Sequence, residues 1–171
     1  MRHVLMVGLL ALALTLAPNA VRAGSFSDSG SEVGFRGWGP RVGLTSGPDQ
    51  VHFGAHLDFG QFARRVRFQP NIEVGLGDHL TLVTVNAEAA YRFRETWDVW
   101  SPYLGGGLGV NIASWDDHGG GDNTSTDLGA SVLGGIEKGL ANGDRFFMEV
   151  KLGVVDESPD FKLTFSWTFY H

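Results

Sequence analysis

Large apolar and polar residues alternate along most of this chain. In the last stretch Phe161, Leu163, Phe165, Trp167 and Phe169 are separated by Lys162, Thr164, Ser166 and Thr168. A period of two is that of a strand whose two faces meet different surroundings. Seven earlier stretches repeat it. They run about Gly37 to Thr45, Gln50 to Gly60, Arg65 to Leu76, Leu80 to Phe93, Pro102 to Ala113, Asp127 to Lys138 and Arg145 to Val154. In the second, Val51, Phe53, Ala55, Leu57 and Phe59 alternate with His52, Gly54, His56 and Asp58. In the fifth, Leu104, Leu108, Val110 and Ile112 share one face while the other is nearly all glycine.

The breaks between these stretches read as turns. Ser46-Gly47-Pro48-Asp49, Gly77-Asp78, Asn142-Gly143 and Asp156 to Pro159 are the short ones, and Ser114 to Thr126 is the longest connection. Pro70 falls on the outer face of the third stretch, where it removes one ladder donor and predicts a bulge. No segment has a helical period. The pattern therefore predicts an all-β protein: an eight-stranded antiparallel up-and-down transmembrane β-barrel over residues 35–171, with both ends of the chain on the same side. Each strand is about ten residues, the length that crosses a bilayer at a barrel tilt.

Periodicity alone leaves open which face is inside. A soluble lipocalin-like ligand-binding barrel would turn its apolar face inward. Composition of the faces favours the reverse. The polar face carries Arg41, Arg67, Glu73, Glu88, Arg92, Glu137, Glu149, Lys151 and Lys162, both signs interleaved with glycines. Such a set can fill a narrow lumen as a charge network. The apolar face is almost uncharged, with Phe59, Tyr91, Phe93, Trp167 and Phe169 toward segment ends, as in an interfacial girdle.

The beginning of the chain supports export. Met1-Arg2-His3 precedes an apolar run of about 13 residues, too short to span a bilayer as a helix. Pro18 breaks the run, and Val21-Arg22-Ala23 is a cleavage signal. Residues 1–23 are read as a signal peptide and 24–34, rich in Ser and Gly, as a flexible segment. There is no cysteine, so neither a disulfide nor a thiolate metal site is available. Loss of Arg2 and Arg22 takes the net charge from −6 to about −8, which argues against nucleic acid as a partner. A mean hydropathy of −0.03 suits a chain whose lipid-facing and lumenal residues alternate.

The segment Tyr103-Leu-Gly-Gly-Gly-Leu-Gly-Val110 and the terminal Phe161 to Phe169 strand resemble the outer-membrane β-barrel superfamily that includes the small eight-stranded porin-family and opacity-type proteins. The resemblance covers residues 35–171 as a pattern. It implies a bacterial outer-membrane protein that inserts through the barrel-assembly machinery and contacts outer-membrane lipid and lipopolysaccharide. In that family a final aromatic residue is the assembly signal; here Tyr170 and His171 follow Phe169, so the signal is displaced.

Chemistry is sparse. His52 and His56 lie about 13 Å apart along one strand, too far to share a metal ion, and read as lumenal hydrogen-bonding groups with Asp58. The long connection offers Trp115, Asp116, Asp117, His118 and Asp122 as a surface-binding loop, without the ligand spacing of a calcium loop. An acyl hydrolase would need serine and histidine where lipid can reach them, but Ser131 and Ser166 point inward in this phasing. No cofactor motif is present. The sequence thus predicts a non-enzymatic, monomeric outer-membrane barrel with an envelope-structural or surface-interaction role. The alternatives are a small-solute porin-like channel, a lipid-handling barrel and the soluble lipocalin-like barrel.

Overall fold

The computed structural model describes residues 32–77, 80–115, 123–155 and 158–170. The expected signal peptide, most of the expected flexible segment, Asp116, Asp117, His118, Asp122 and His171 lie outside the described residues. Nine strand segments follow in order: β1 (Glu32–Ser46), β2 (Gln50–Ala63), β3 (Val66–Phe68), β4 (Asn71–Gly77), β5 (Leu80–Arg92), β6 (Ser101–Trp115), β7 (Asn123–Gly139), β8 (Arg145–Gly153) and β9 (Phe161–Tyr170). β1 begins three residues before Phe35, because β2 continues to Ala63 and supplies partners for Glu32 and Val33.

β3 and β4 are halves of one stave. Both lie between β2 and β5, and Pro70 separates them. Pro70 has no N–H, yet its carbonyl accepts from Leu57 N at 2.9 Å, and Gln69 N donates to Glu88 O at 2.8 Å. The stave is interrupted without being detached. All neighbours pair antiparallel, and β1 pairs with β9 from Gly37↔Tyr170 to Ser46↔Phe161. The eight-stave sheet closes on itself, which leaves the ring no free edge.

The faces are inverted relative to a soluble barrel. Leu44, Val51, Leu108 and Leu128 point outward, Leu128 being 77% exposed, while Arg41, His52, His56, Glu73, Glu137 and Glu149 are buried inside. This overturns the lipocalin-like alternative. A handful of apolar groups also face inward: Leu82, Ala90, Tyr103, Leu133 and Phe147. Their long neighbours fit because small residues stand opposite. A Cβ on Gly107 would lie 2.8 Å from Glu88 Cγ, and one on Gly135 2.5 Å from the Tyr103 hydroxyl.

One sequence expectation needs correction. Ser114 to Thr126 is not a loop of that length. Trp115 pairs with Leu80 and Asn123, and Ser114 with Thr124, so β6 and β7 extend as a hairpin and the connection shrinks to 116–122. Polar Thr, Ser and Asn on a hairpin extension look like a loop in sequence, because alternation there no longer separates apolar from polar. The β5–β6 connection at the opposite end, 93–100, is longer. It folds as a miniature hairpin in which Trp97 N donates to Trp100 O at 2.8 Å.

The first and last described residues, Glu32 and Tyr170, lie with the 93–100 connection at one end of the barrel, and aromatic side chains surround the outside there. Phe35 packs on Phe59, Phe59 and Phe62 on Phe68, Tyr91 on Phe93, Trp100 on Phe146, Phe146 on Trp167, and Trp38 on Phe169, with ring centroids 4.7–6.3 Å apart. This band is where an interfacial girdle belongs. The two faces of β5 give a direct test. Val85→Arg, outward at mid-strand, should cost about 2–4 kcal/mol in urea unfolding from lipid vesicles. The same charge at the buried Thr84 meets the lumen instead and should act through packing, with no dependence on bilayer thickness.

Candidate functional site

Among the described residues, the polar interior is where most charged side chains converge in ion pairs. Alternation aims every second residue of each strand at the barrel axis, and eight staves bring those residues within reach of one another. The nine charged residues picked out from the sequence all take part, and the structure divides them into two groups.

The first surrounds Arg41 on β1. Its Nε lies 3.1 Å from Glu73 Oε1, Nη1 3.2 Å from Glu88 Oε2, and Nη2 2.6 Å from Glu149 Oε1. Those carboxylates come from β4, β5 and β8, so one guanidinium ties four staves together. Lys151 pairs with Glu88 and lies 3.9 Å from Glu73, and Lys162 donates to Glu73 at 2.8 Å. Three carboxylates thus face three cations. Tyr103 adds a hydroxyl donated to Glu149 at 3.1 Å. This local neutrality matters because an unmatched buried charge costs several kcal/mol.

The second group lies toward the chain ends. Glu137 on β7 pairs with Arg67, with Arg92 at 2.5 Å and with Arg145 at 3.6 Å. Arg145 also reaches Asp58 at 3.1 Å, Gln69 Oε1 at 3.2 Å and Thr168 Oγ1 at 3.0 Å. Tyr170 donates its hydroxyl to Asp58 at 2.9 Å, so the final described residue is part of the lumenal packing. Between the groups stands Phe147, completely buried, with the guanidinium carbons of Arg41, Arg67 and Arg145 at 5.9, 5.5 and 5.3 Å from its ring centroid. Cations over an aromatic face are attracted by its quadrupole. The ring therefore separates three like charges without leaving them unpartnered.

Arg145, Tyr103 and Phe147 are network members that the sequence reading did not name, and Asp58, read there only as a lumenal hydrogen-bonding group, is an ion-pair partner. Parity alone would have found them. Arg145 and Phe147 share the face of Glu149 and Lys151, and Asp58 that of His56. Tyr103 has the parity of the inward glycines of β6.

The histidines are committed elsewhere. His52 Nδ1 is 2.8 Å from Thr45 Oγ1 and its Nε2 3.0 Å from Thr164 Oγ1, while His56 Nε2 is 2.9 Å from Thr168 Oγ1. Ser166 is fully buried in the lumen. Trp115, assigned to a surface loop from sequence, is a strand residue at the end of β6, half-exposed and apart from the lumenal groups. Little space remains inside. The crevice beside Gly107, Gly109, Asn111 and Lys162 holds about 20 Å³, room for about one water.

Solved structures share this architecture. The N-terminal β-barrel domain of Pseudomonas aeruginosa OprF matches with a TM-score of 0.67 at 10% identity, over 82% of this chain and 100% of that one. Neisserial surface protein A matches with a TM-score of 0.61 at 20% identity, over 80% of this chain and 97% of that one. The fold is that of the small eight-stranded outer-membrane barrels. No protein-family model and no curated protein matches the chain.

Removing the hub of the first group is the informative perturbation. Arg41→Met leaves Glu73, Glu88 and Glu149 with only two lysines, and should destabilise the barrel by about 3–5 kcal/mol in urea unfolding from vesicles. Adding Glu88→Gln should recover part of that loss. An Arg41→Met barrel as stable as the parent would show that the pairing contributes nothing.

Proposed function

We propose that this chain is a bacterial outer-membrane β-barrel protein, non-enzymatic and monomeric, with an envelope-structural or surface-interaction role. The carrying observation is the combination of an apolar exterior with an interior packed by neutralised charge. A surface built of Leu44, Val51, Leu108 and Leu128 suits lipid, not water. An interior in which one arginine binds three carboxylates suits a rigid scaffold more than a passage. The fold shared with outer-membrane barrels supports the same location. The barrel-assembly machinery would insert it, with chain ends toward the periplasm and the 116–122 connection outward.

The non-enzymatic part rests on how the reactive groups are used. Described histidines are bonded to threonines inside the barrel, and the lumenal carboxylates bind cations. Neither class is presented to a substrate. The same packing disfavours a small-solute channel, because a solute would have to part Arg41 from three partners at once.

Two measurements test this reading. In planar bilayers the purified barrel should show no large, steady conductance; reproducible nanosiemens-scale steps would promote the channel. Protease added to intact cells should cut between Trp115 and Asp127. Cutting only after outer-membrane rupture would reverse the orientation.

A further inference from the structure

The rim at the chain-end side of the barrel holds a depression of about 260 Å³ that the lumenal packing does not use. Gln61, Arg65, Arg92, Phe93, Arg94, Thr96 and Ser101 line it. Three of the seven are arginines, and no lining residue is acidic. Arg92 is tied to Glu137 at 2.5 Å. Among the described residues, neither Arg65 nor Arg94 lies within ion-pair distance of a carboxylate, although Glu95 and Asp98 belong to the same connection. A neighbouring depression beyond Arg92 is different, since Glu137 and Asp144 line it.

Arg65 is also held in place. Its φ of 67° is in the left-handed region, which glycine or asparagine adopts more readily than arginine. Its N–H donates to Gln61 Oε1 at 2.9 Å, and its Nη1 reaches Arg92 O at 3.4 Å. The tight β2–β3 turn thus turns an arginine toward the end of β5. On the other side of the depression Phe93 faces outward and packs edge-on against Tyr91 at 5.4 Å, inside the aromatic band. The cations therefore sit one step beyond the girdle, at the level where lipid phosphates lie, and an apolar path leads from them along the outer wall.

We propose that this depression binds the phosphate of an anionic glycerophospholipid, with Arg65 and Arg94 as the phosphate donors, Arg92 orienting Arg65 from the rim, and Phe93 and Tyr91 against the acyl chains. Guanidinium matches phosphate geometrically and stays charged at any physiological pH. The site rests on the membrane reading above, because only an inserted barrel presents this rim to a leaflet.

The test uses the barrel in neutral maltoside micelles, with the arginine Nε–Hε signals followed by NMR. Dihexanoyl-phosphatidylglycerol, dihexanoyl-phosphatidylcholine and inorganic phosphate are titrated separately. Phosphatidylglycerol should shift Arg65, Arg92 and Arg94 saturably, and bind roughly tenfold or more tighter than either of the others. The double variant Arg65→Gln/Arg94→Gln should lose that preference while keeping the parent's heat-modifiable gel mobility, since Arg94 is exposed and Arg65 is half-buried without an ion pair among the described residues. Equal affinity for phosphatidylcholine, or for free phosphate, would overturn the anionic-lipid assignment, as would an unaffected double variant. Failure of the membrane reading is separable: the mature chain would then stay dispersed without detergent and would not insert into vesicles.

Discussion

Closing eight strands into a ring leaves an interior only as wide as the side chains that fill it. Everything else follows from what can occupy that width. One face of every strand must enter it, and in this chain that face carries the charges. An apolar exterior and little room for water inside mean that those charges must cancel within reach of one another. Arg41 meets the requirement by placing each arm of its guanidinium on a carboxylate from a different stave. Lysine, a point charge on a flexible stem, could not hold three partners in one plane.

The same width explains the glycines and the buried ring. Long residues cannot be opposed by long residues, so Gly107 stands against Glu88 and Gly135 against the Tyr103 ring. Phe147 occupies the position where Arg41, Arg67 and Arg145 would otherwise crowd one another. Buried ion pairs are weak evidence for net stability, because desolvation offsets much of their attraction. Their firmer consequence here is specificity. A one-residue slip of any stave would carry its charges to the apolar exterior, so the network fixes register as well as it fills space.

The two ends of the barrel differ in a way the lumen does not explain. The aromatic band, the Trp97–Trp100 hairpin and the arginines of the rim gather at the end that holds Glu32 and Tyr170. Toward the other end the sheet is finished by a side-chain contact. Ser158 in the β8–β9 connection accepts from Ala130 N and donates to Ala130 O, both at 3.0 Å, and so satisfies β7 where β8 has ended.

The sequence by itself determined the strands, their number and their two faces, because period-two alternation is a local property that survives without neighbours. It also determined which nine charges share the polar face. Membership of a face, however, says nothing about who meets whom. Arg41 and Glu149 are 108 positions apart, and only strand tilt and closure bring them to 2.6 Å. Parity was legible but under-used at Arg145 and Phe147. The hairpin extension through Trp115 was not legible, since its outward residues are polar beyond the apolar belt and alternation fades there. The arginine-lined rim was invisible for a different reason. Arg65 and Arg94 belong to separate turns, and their convergence depends on β3 lying beside β5 in the closed sheet.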